Sequence, residues 1–363
     1  MIRKVIYGVL ILIILLILIN FNSITYVSSI MTDQLNLVLK ANDIDNVIND
    51  MRTDVDIINQ LKLIPEIMQF GDELGFSKTK AYSTYIPLQR EVFLHSLSAS
   101  KKDKFEDYIW EWPFVGGLPY KGFIEKDDAL KEQLKLEKEE YDTYLWESSA
   151  MSTLGIFSDP IISTMINESD VTVLINTIYH ERTHQLFFKK DYITFNENAA
   201  VLLGSLASLD FIRDKFGEGS EEYKKQLNVI KDKLIFSEFI DEFYNELSRL
   251  YSSNFSSEEK IKKREEIFQK HLQKFGIINE KLSKLFKNFN EEEMSNAYIL
   301  SLYRYYGRLH IYYKVYEKLG GNLQDTIAFF NEAANSKEEP EKVVDRFLED
   351  GSTFVYSTTD TFI

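Results

Sequence analysis

The chain has no cysteine among its 363 residues. That excludes disulfides, thiolate metal ligands and a lipid-modified cysteine as a membrane anchor. Histidine is sparse, with five copies, so any metal site must combine few imidazoles with carboxylates. Proline is scarce too: six copies, none between Pro160 and Pro340. Basic residues are outnumbered, 42 Lys+Arg against 57 Asp+Glu, for a formal net charge of −15. Phosphate backbones demand a basic surface, so this balance argues against a nucleic-acid partner. It selects no other substrate. A hydrophobic fraction of 44% is too high for a disordered chain, and the length suffices for one large or two ordinary domains.

The first thirty residues read as a separate object. Arg3 and Lys4 precede an aliphatic run at 5–19, and no charge follows until Asp33. About 20 apolar residues span a bilayer, so the run is just long enough. A cleaved signal peptide would have a shorter core and a small-residue cleavage site, which does not follow here. The expectation is an uncleaved transmembrane helix over 1–30 that ties the chain to the lipid bilayer. The basic pair on its N-terminal side places residues 31–363 outside the cytoplasm, on the cytoplasmic membrane.

The remainder reads as one helix-rich domain with a small sheet, mainly α in an α+β class. Apolar positions at Val47, Ile48, Met51, Val55, Ile58, Leu61 and Ile64 recur every three or four residues and predict a helix over 45–64, with Pro65 as its boundary. Residues 82–85 and 91–94 read as short strands. Residues 110–123 hold two prolines and three glycines and read as tight turns around strand pieces. A charged helix is expected over 127–140, and strands over 141–146 and 151–157. The proline-free stretch after Pro160 predicts long helices. One spans 261–275, where Ile261, Ile267, Phe268, Leu272 and Phe275 form the apolar set and Lys and Glu fill a solvated face.

The informative signal is His180-Glu181-Arg182-Thr183-His184, an H-E-x-x-H. Residues four apart on a helix share a face, so both imidazoles reach one ion. Zn²⁺ suits such ligands, and Glu181 projects beside it as general base for an activated water. Random placement of five histidines and 57 acids yields about 0.01 such matches in a chain of this length. The apolar segment 171–179, with Asp170 as N-cap, supplies the helix. A third ligand is required. Glu197, separated from His184 by twelve residues, lies at the opening of an apolar helix running to about Phe211, with the turn at Lys189, Lys190 and Asp191. A carboxylate in an apolar segment is costly unless paired or metal-bound. His271 and His310 stand as alternative third ligands, and His95 reads as ordinary.

H-E-x-x-H followed by N-E on the next helix resembles the gluzincin zinc peptidases, although the interval to the glutamate is shorter here than is usual for them. The fuller resemblance is to a bacterial family of predicted zinc aminopeptidases, membrane-associated and often lipoproteins. It rests on W-P-F-V-G-G-L-P-Y-K-G-F at 112–123, S-T-L-G-I-F-S-D-P-I-I-S-T-M at 152–165, the motif at 180–185 with F-N-E-N-A at 195–199, and the stretch from Asn296-Ala-Tyr to Gly320-Gly321. It covers about residues 31–330. Gly117 stands where the family often has cysteine, and the apolar leader replaces a lipid anchor. The resemblance implies peptide substrates, zinc held by His180, His184 and Glu197, and hydrolysis at a free N-terminus with Glu181 as base.

Such chemistry also needs a donor to the developing oxyanion. Tyr305 matches a tyrosine common in the family and takes that role, while Arg304 or Arg308 can hold a peptide carboxylate bidentately. By analogy with gluzincins, the 152–157 segment would be an edge strand against which substrate pairs, with Gly155 allowing close approach. Glu147, Asp159 and Glu168 are candidates to bind a substrate ammonium. Two other readings compete. One is an inactive metal-binding scaffold that binds partners through its charged helices. The other is a purely structural helical protein carrying a chance motif.

Overall fold

A computed structural model of the chain describes residues 40–88, 90–112, 116–148, 159–166, 170–283, 285–286, 289 and 293–349. The expected leader helix, the strand over 151–157, Gly155 and Glu168 lie outside the described residues. Among the described residues no helix is long and apolar enough to cross a membrane.

The N-terminal part runs β1 (Asn42–Asp43), α1 (Ile44–Asn49), α2 (Val55–Leu61) and α3 (Ile64–Leu74). The single helix expected over 45–64 is thus two short ones, α1 and α2, with α3 starting only at Ile64. Asp50 caps the end of α1, and the Asp54 side chain accepts from the Asp56 amide to start α2. These aspartates compete with the helix for its own backbone groups. Pro65 marks the expected boundary as the start of α3, in whose first turn its missing N–H is harmless.

Next come β2 (Thr84–Ile86), β3 (Leu94–Lys101), β4 (Trp110–Trp112), β5 (Gly116–Leu118), β6 (Tyr120–Phe123), α4 (Lys126–Lys138), β7 (Tyr141–Ser148) and β8 (Ile161–Ile162). Strand β3 is central in an antiparallel sheet ordered β6-β3-β7, and α4 covers it through Ala129 and Leu136. Strand β2 joins β1 antiparallel to β8 parallel, with Tyr85 opposite Ile161. The 82–85 and 91–94 expectations were each displaced by one or more residues toward the C-terminus, and 110–123 forms the β4-β5 hairpin and β6.

The C-terminal part is helical: α5 (Val171–Leu186), α6 (Ile193–Phe216), α7 (Glu221–Tyr251), α8 (Ser257–Asn279), α9 (Asn296–Tyr306), α10 (Leu309–Lys318), α11 (Leu323–Asn335) and α12 (Pro340–Glu349). Helix α6 is the axis. Every residue from Phe195 to Ser208 is buried, which requires apolar or small side chains all round rather than one stripe. Helices α3, α5, α7, α9, α10 and α11 all pack on it. Helix α9 joins this bundle to the sheet: Tyr144 on β7 packs on Tyr298 with centroids 4.6 Å apart, and Ser98 on β3 shares a 3.0 Å hydrogen bond with Ser301.

Candidate metal centre

Helix α5 starts where the Asp170 carboxylate accepts from the Thr172 amide at 3.1 Å. Its Leu174, Ile178 and Arg182 stripe is buried toward the N-terminal helices. Arg182, inside the motif, donates to the Met68 carbonyl at 2.8 Å, to Asp72 at 2.6 Å and to the Ser77 carbonyl at 3.1 Å. Tyr179 adds a 2.9 Å bond to the Ile67 carbonyl. These bonds fix the rotation of α5 and turn His180, Glu181 and His184 toward the other side. There Gly204 of α6 lies against the His180 backbone: a Cβ at that position would come within 2.9 Å of the His180 nitrogen. Only glycine permits that approach.

The second half of the site comes from N-E-N in α6. Asn196 and Asn198 are fully buried and flank Glu197. Asn196 donates to the Lys189 carbonyl at 2.8 Å and accepts from the Lys189 amide at 2.9 Å, which closes the α5-α6 loop. Asn198 donates to the Arg304 carbonyl at 2.8 Å and accepts from the Arg308 amide at 2.9 Å. The two asparagines therefore lock the loop before Glu197 and the α9-α10 junction beside it. Glu197 is held between them.

His180 Nε2, His184 Nε2 and Glu197 Oε2 converge. The two imidazole nitrogens are 3.3 Å apart, and the carboxylate oxygen is 3.3 Å from His180 and 3.5 Å from His184. A tetrahedral ion with bonds near 2.05 Å has ligand-to-ligand edges of about 3.3 Å. The triangle fits such an ion. Glu197 Oε2 is also buried without a hydrogen-bond partner among the described residues, an orphan that a cation would satisfy. These three residues form a group able to hold a metal ion.

Electrostatics follow from burial and proximity. Burial pushes the Glu181 carboxyl up, against the pull of His180 and His184. Burial acts in the same direction on Glu197, but the two imidazoles outweigh it and hold that carboxylate well below its ordinary range. Burial would lower His184; the Glu197 carboxylate beside it reverses the sign and raises it.

The aromatic wall includes Tyr305, whose ring lies 6.5 Å from that of His180. Burial raises its phenol well above 10, with Glu197 adding to the effect. Tyr120, on β6, also faces the acids of the site: burial first, then Glu197, pushes it up to about 12. Its hydroxyl makes no hydrogen bond among the described residues, and Arg304 lies 5.9 Å over its ring. Both phenols remain neutral O–H donors over the physiological range. Tyr82, buried and held at φ 62°, donates its amide to the Asp159 carbonyl at 2.7 Å and also faces Glu181. Tyr120 and Tyr82 were not singled out as site residues from sequence. Both come from strand and turn segments far upstream, and only the presence of Tyr120 in the G-G-L-P-Y block hinted at it.

The other expected residues divide. Arg304 is buried near Tyr120 and pairs with Asp107 at 3.4 Å, leaving its NH1 without a partner. Arg308 is not brought to the triad: its guanidinium pairs with Asp345 of α12, because the turn at Gly307 redirects the chain. Asp159 is buried beside Gln185 and contributes to raising Glu181, while Glu147 lies on β7 opposite His95. His271 stacks on Phe243 at 4.2 Å and bonds Glu246 at 2.8 Å, and His310 bonds Ser237 at 2.8 Å. Neither joins the triad, which leaves Glu197 as its third member.

A protein-family model described as "Putative aminopeptidase" matches residues 25–345. The chain belongs to that aminopeptidase family. No curated protein and no solved structure matches it. The family match spans nearly all of the helical bundle and the sheet, so the convergent triad lies within it.

Proposed function

We propose that this member of the aminopeptidase family is a zinc-dependent peptidase that removes residues from free N-termini and is held at the outer face of the cytoplasmic membrane by its apolar leader. The observation that carries the reading is the triangle of His180, His184 and Glu197 with Glu181 on the same helix. A scaffold that merely held a metal would have no use for Glu181.

His180, His184 and Glu197 would hold the ion, and zinc suits this nitrogen and oxygen donor set. When bound, it supplies Lewis acidity to the attacking water and to the scissile carbonyl. Glu181 takes the proton from that water and returns it to the leaving amine. Its elevated proton affinity suits a group that must both accept and donate. Tyr305, assisted by Tyr120, donates its O–H to the carbonyl oxygen as charge develops there. Arg304, with one nitrogen unpartnered, is placed to attract a peptide carbonyl or carboxylate.

The test is hydrolysis of a peptide with a free amine and of its N-acetylated form by the purified full chain, with and without a chelator. The free peptide should be cleaved from its N-terminus, the blocked one spared, and chelation should abolish turnover until zinc is restored. Undiminished cleavage after complete metal removal would overturn the metal-dependent reading. Equal cleavage of both peptides would overturn the N-terminal specificity.

A further inference from the structure

Just past the end of α5 the chain carries an exposed aromatic ring. Phe188 has 42% of its surface exposed, whereas its neighbour Phe187 is buried in the core. The Phe188 ring packs edge-on against His184, with centroids 6.3 Å apart and planes at 70°. It makes no other ring contact among the described residues. Phe255 is the other exposed phenylalanine among them, and its ring is covered by the Lys263 ammonium at 4.7 Å. Phe188 thus leaves an apolar face open to solvent directly beside a residue of the triad.

The backbone on both sides of this ring is fixed. The Phe187 amide donates to the Thr183 carbonyl at 3.1 Å, and the Asn196 side chain holds both the amide and the carbonyl of Lys189, at 2.9 and 2.8 Å. An aromatic side chain has two torsions, so on a fixed backbone it loses little freedom when a ligand covers it. Covering it also removes apolar surface from water. Tyr305 lies against the other imidazole, that of His180, at 6.5 Å. The phenol and the apolar ring therefore flank different members of the triad, and a peptide can aim its carbonyl oxygen at one and a side chain at the other. A cationic side chain also stacks on a phenyl ring, but Lys189 and Lys190 follow Phe188 directly and oppose that charge.

We propose that Phe188 is the wall of a side-chain subsite beside the triad and selects a large apolar residue, aromatic or branched aliphatic, next to the scissile bond. The inference rests on the peptidase reading above and adds a substrate class to it. Phe188 acts by capturing a side chain, so its effect is read as a ratio between substrates.

The zinc-loaded full chain is given tetra-alanine and three relatives of it, with Phe first, Phe second or Lys first. One of the Phe peptides should exceed tetra-alanine by at least about 10-fold in kcat/KM, and the Lys peptide should not. Phe188→Ala should cut that ratio to about 3 or less, and Phe188→Leu, which keeps an apolar contact, should restore most of it. The ring is exposed, so both variants should fold. Calorimetric binding of the same peptides to a Glu181→Gln chain gives a reading without turnover. There the Phe peptide should bind more tightly than tetra-alanine by a similar ratio, and Phe188→Ala should erase the difference. Equal handling of Phe and Ala peptides, a preference for Lys, or a ratio unchanged in Phe188→Ala, with tetra-alanine still cleaved, would overturn the subsite and leave the peptidase reading standing. Failure of the zinc-loaded chain to cleave any of the peptides would overturn the peptidase reading, and the subsite with it.

Discussion

Glu181 and the phenols act on different atoms of the proposed reaction, so single substitutions separate them. Glu181→Gln keeps the size of the side chain and removes the base. The variant should bind zinc as the natural chain does while kcat falls by about 10²–10⁴-fold, checked by metal analysis and steady-state kinetics on one preparation. Tyr305→Phe deletes one donor and should lower kcat by about 10²-fold with little change in KM. A Tyr305→Phe enzyme with unchanged kcat would remove that residue from the mechanism. At this scale the sequence was informative where chemistry needs a fixed helical spacing. The His180 and His184 pair could be read because both partners lie one turn apart, and Glu197 because a carboxylate is expensive in an apolar helix. Tyr120 could not, since nothing local distinguishes a strand tyrosine that faces a distant helix. Arg308 looked equivalent to Arg304 until the Gly307 turn sent it to Asp345.

Between elements, the approach of α5 to α6 is set by Gly204. Gly204→Ala would stabilise an isolated helix by up to about 1 kcal/mol. Here the added Cβ meets the His180 backbone, which cannot yield as a side-chain tip can. The expected result is a net loss of roughly 1–3 kcal/mol in urea unfolding, with weakened zinc affinity, because the helices that share the triad are pushed apart. A more stable variant with unchanged zinc affinity would contradict this. The α6-α7 contact gives a pH test. Lys233 has a folded pKa of about 8 against an ordinary 10.5. Below 8 both states hold the proton and the folded chain bears the full cost of burial. Between about 8 and 10.5 the folded chain releases it first, the unfolded chain binds more protons, and stability rises with pH. The natural chain should therefore gain roughly 3 kcal/mol relative to Lys233→Met across that window. A pH-independent difference would contradict a buried, unpaired amine. Long helices such as α5 and α8 were legible because their apolar periods and caps agree. The break of residues 45–64 into α1 and α2 was not, because the same period continued through Asp50 and Asp54 while their side chains captured the backbone. The all-round burial of α6 carries no stripe to read; only its composition showed that it was interior.

For the molecule as a whole, sheet and bundle are joined by a buried polar hub. Arg264 of α8 pairs with Asp142 of β7 at 2.6 Å, and Asp142 accepts from the Asn296 amide at 2.9 Å. Asn296 in turn donates to the Lys101 carbonyl at 2.8 Å and accepts from Tyr251 at 2.7 Å. Asp142→Ala strands a buried guanidinium, so urea unfolding should lose roughly 3–5 kcal/mol; a loss below about 1 would show that the hub is not holding the two parts together. The α+β class and helix-rich balance were legible because a long proline-free stretch leaves few other solutions. The hub was not, because Asp142 and Arg264 lie far apart in sequence and read as ordinary surface charges. The central claim joins two helices, two buried asparagines and a base at one point. Zinc content of the purified full chain tests it most directly, with His184→Ala and Glu197→Gln measured alongside and their folding checked by circular dichroism. The account predicts one zinc per chain, lost in both folded variants. A chain without zinc affinity, or variants that keep the full complement, would contradict it.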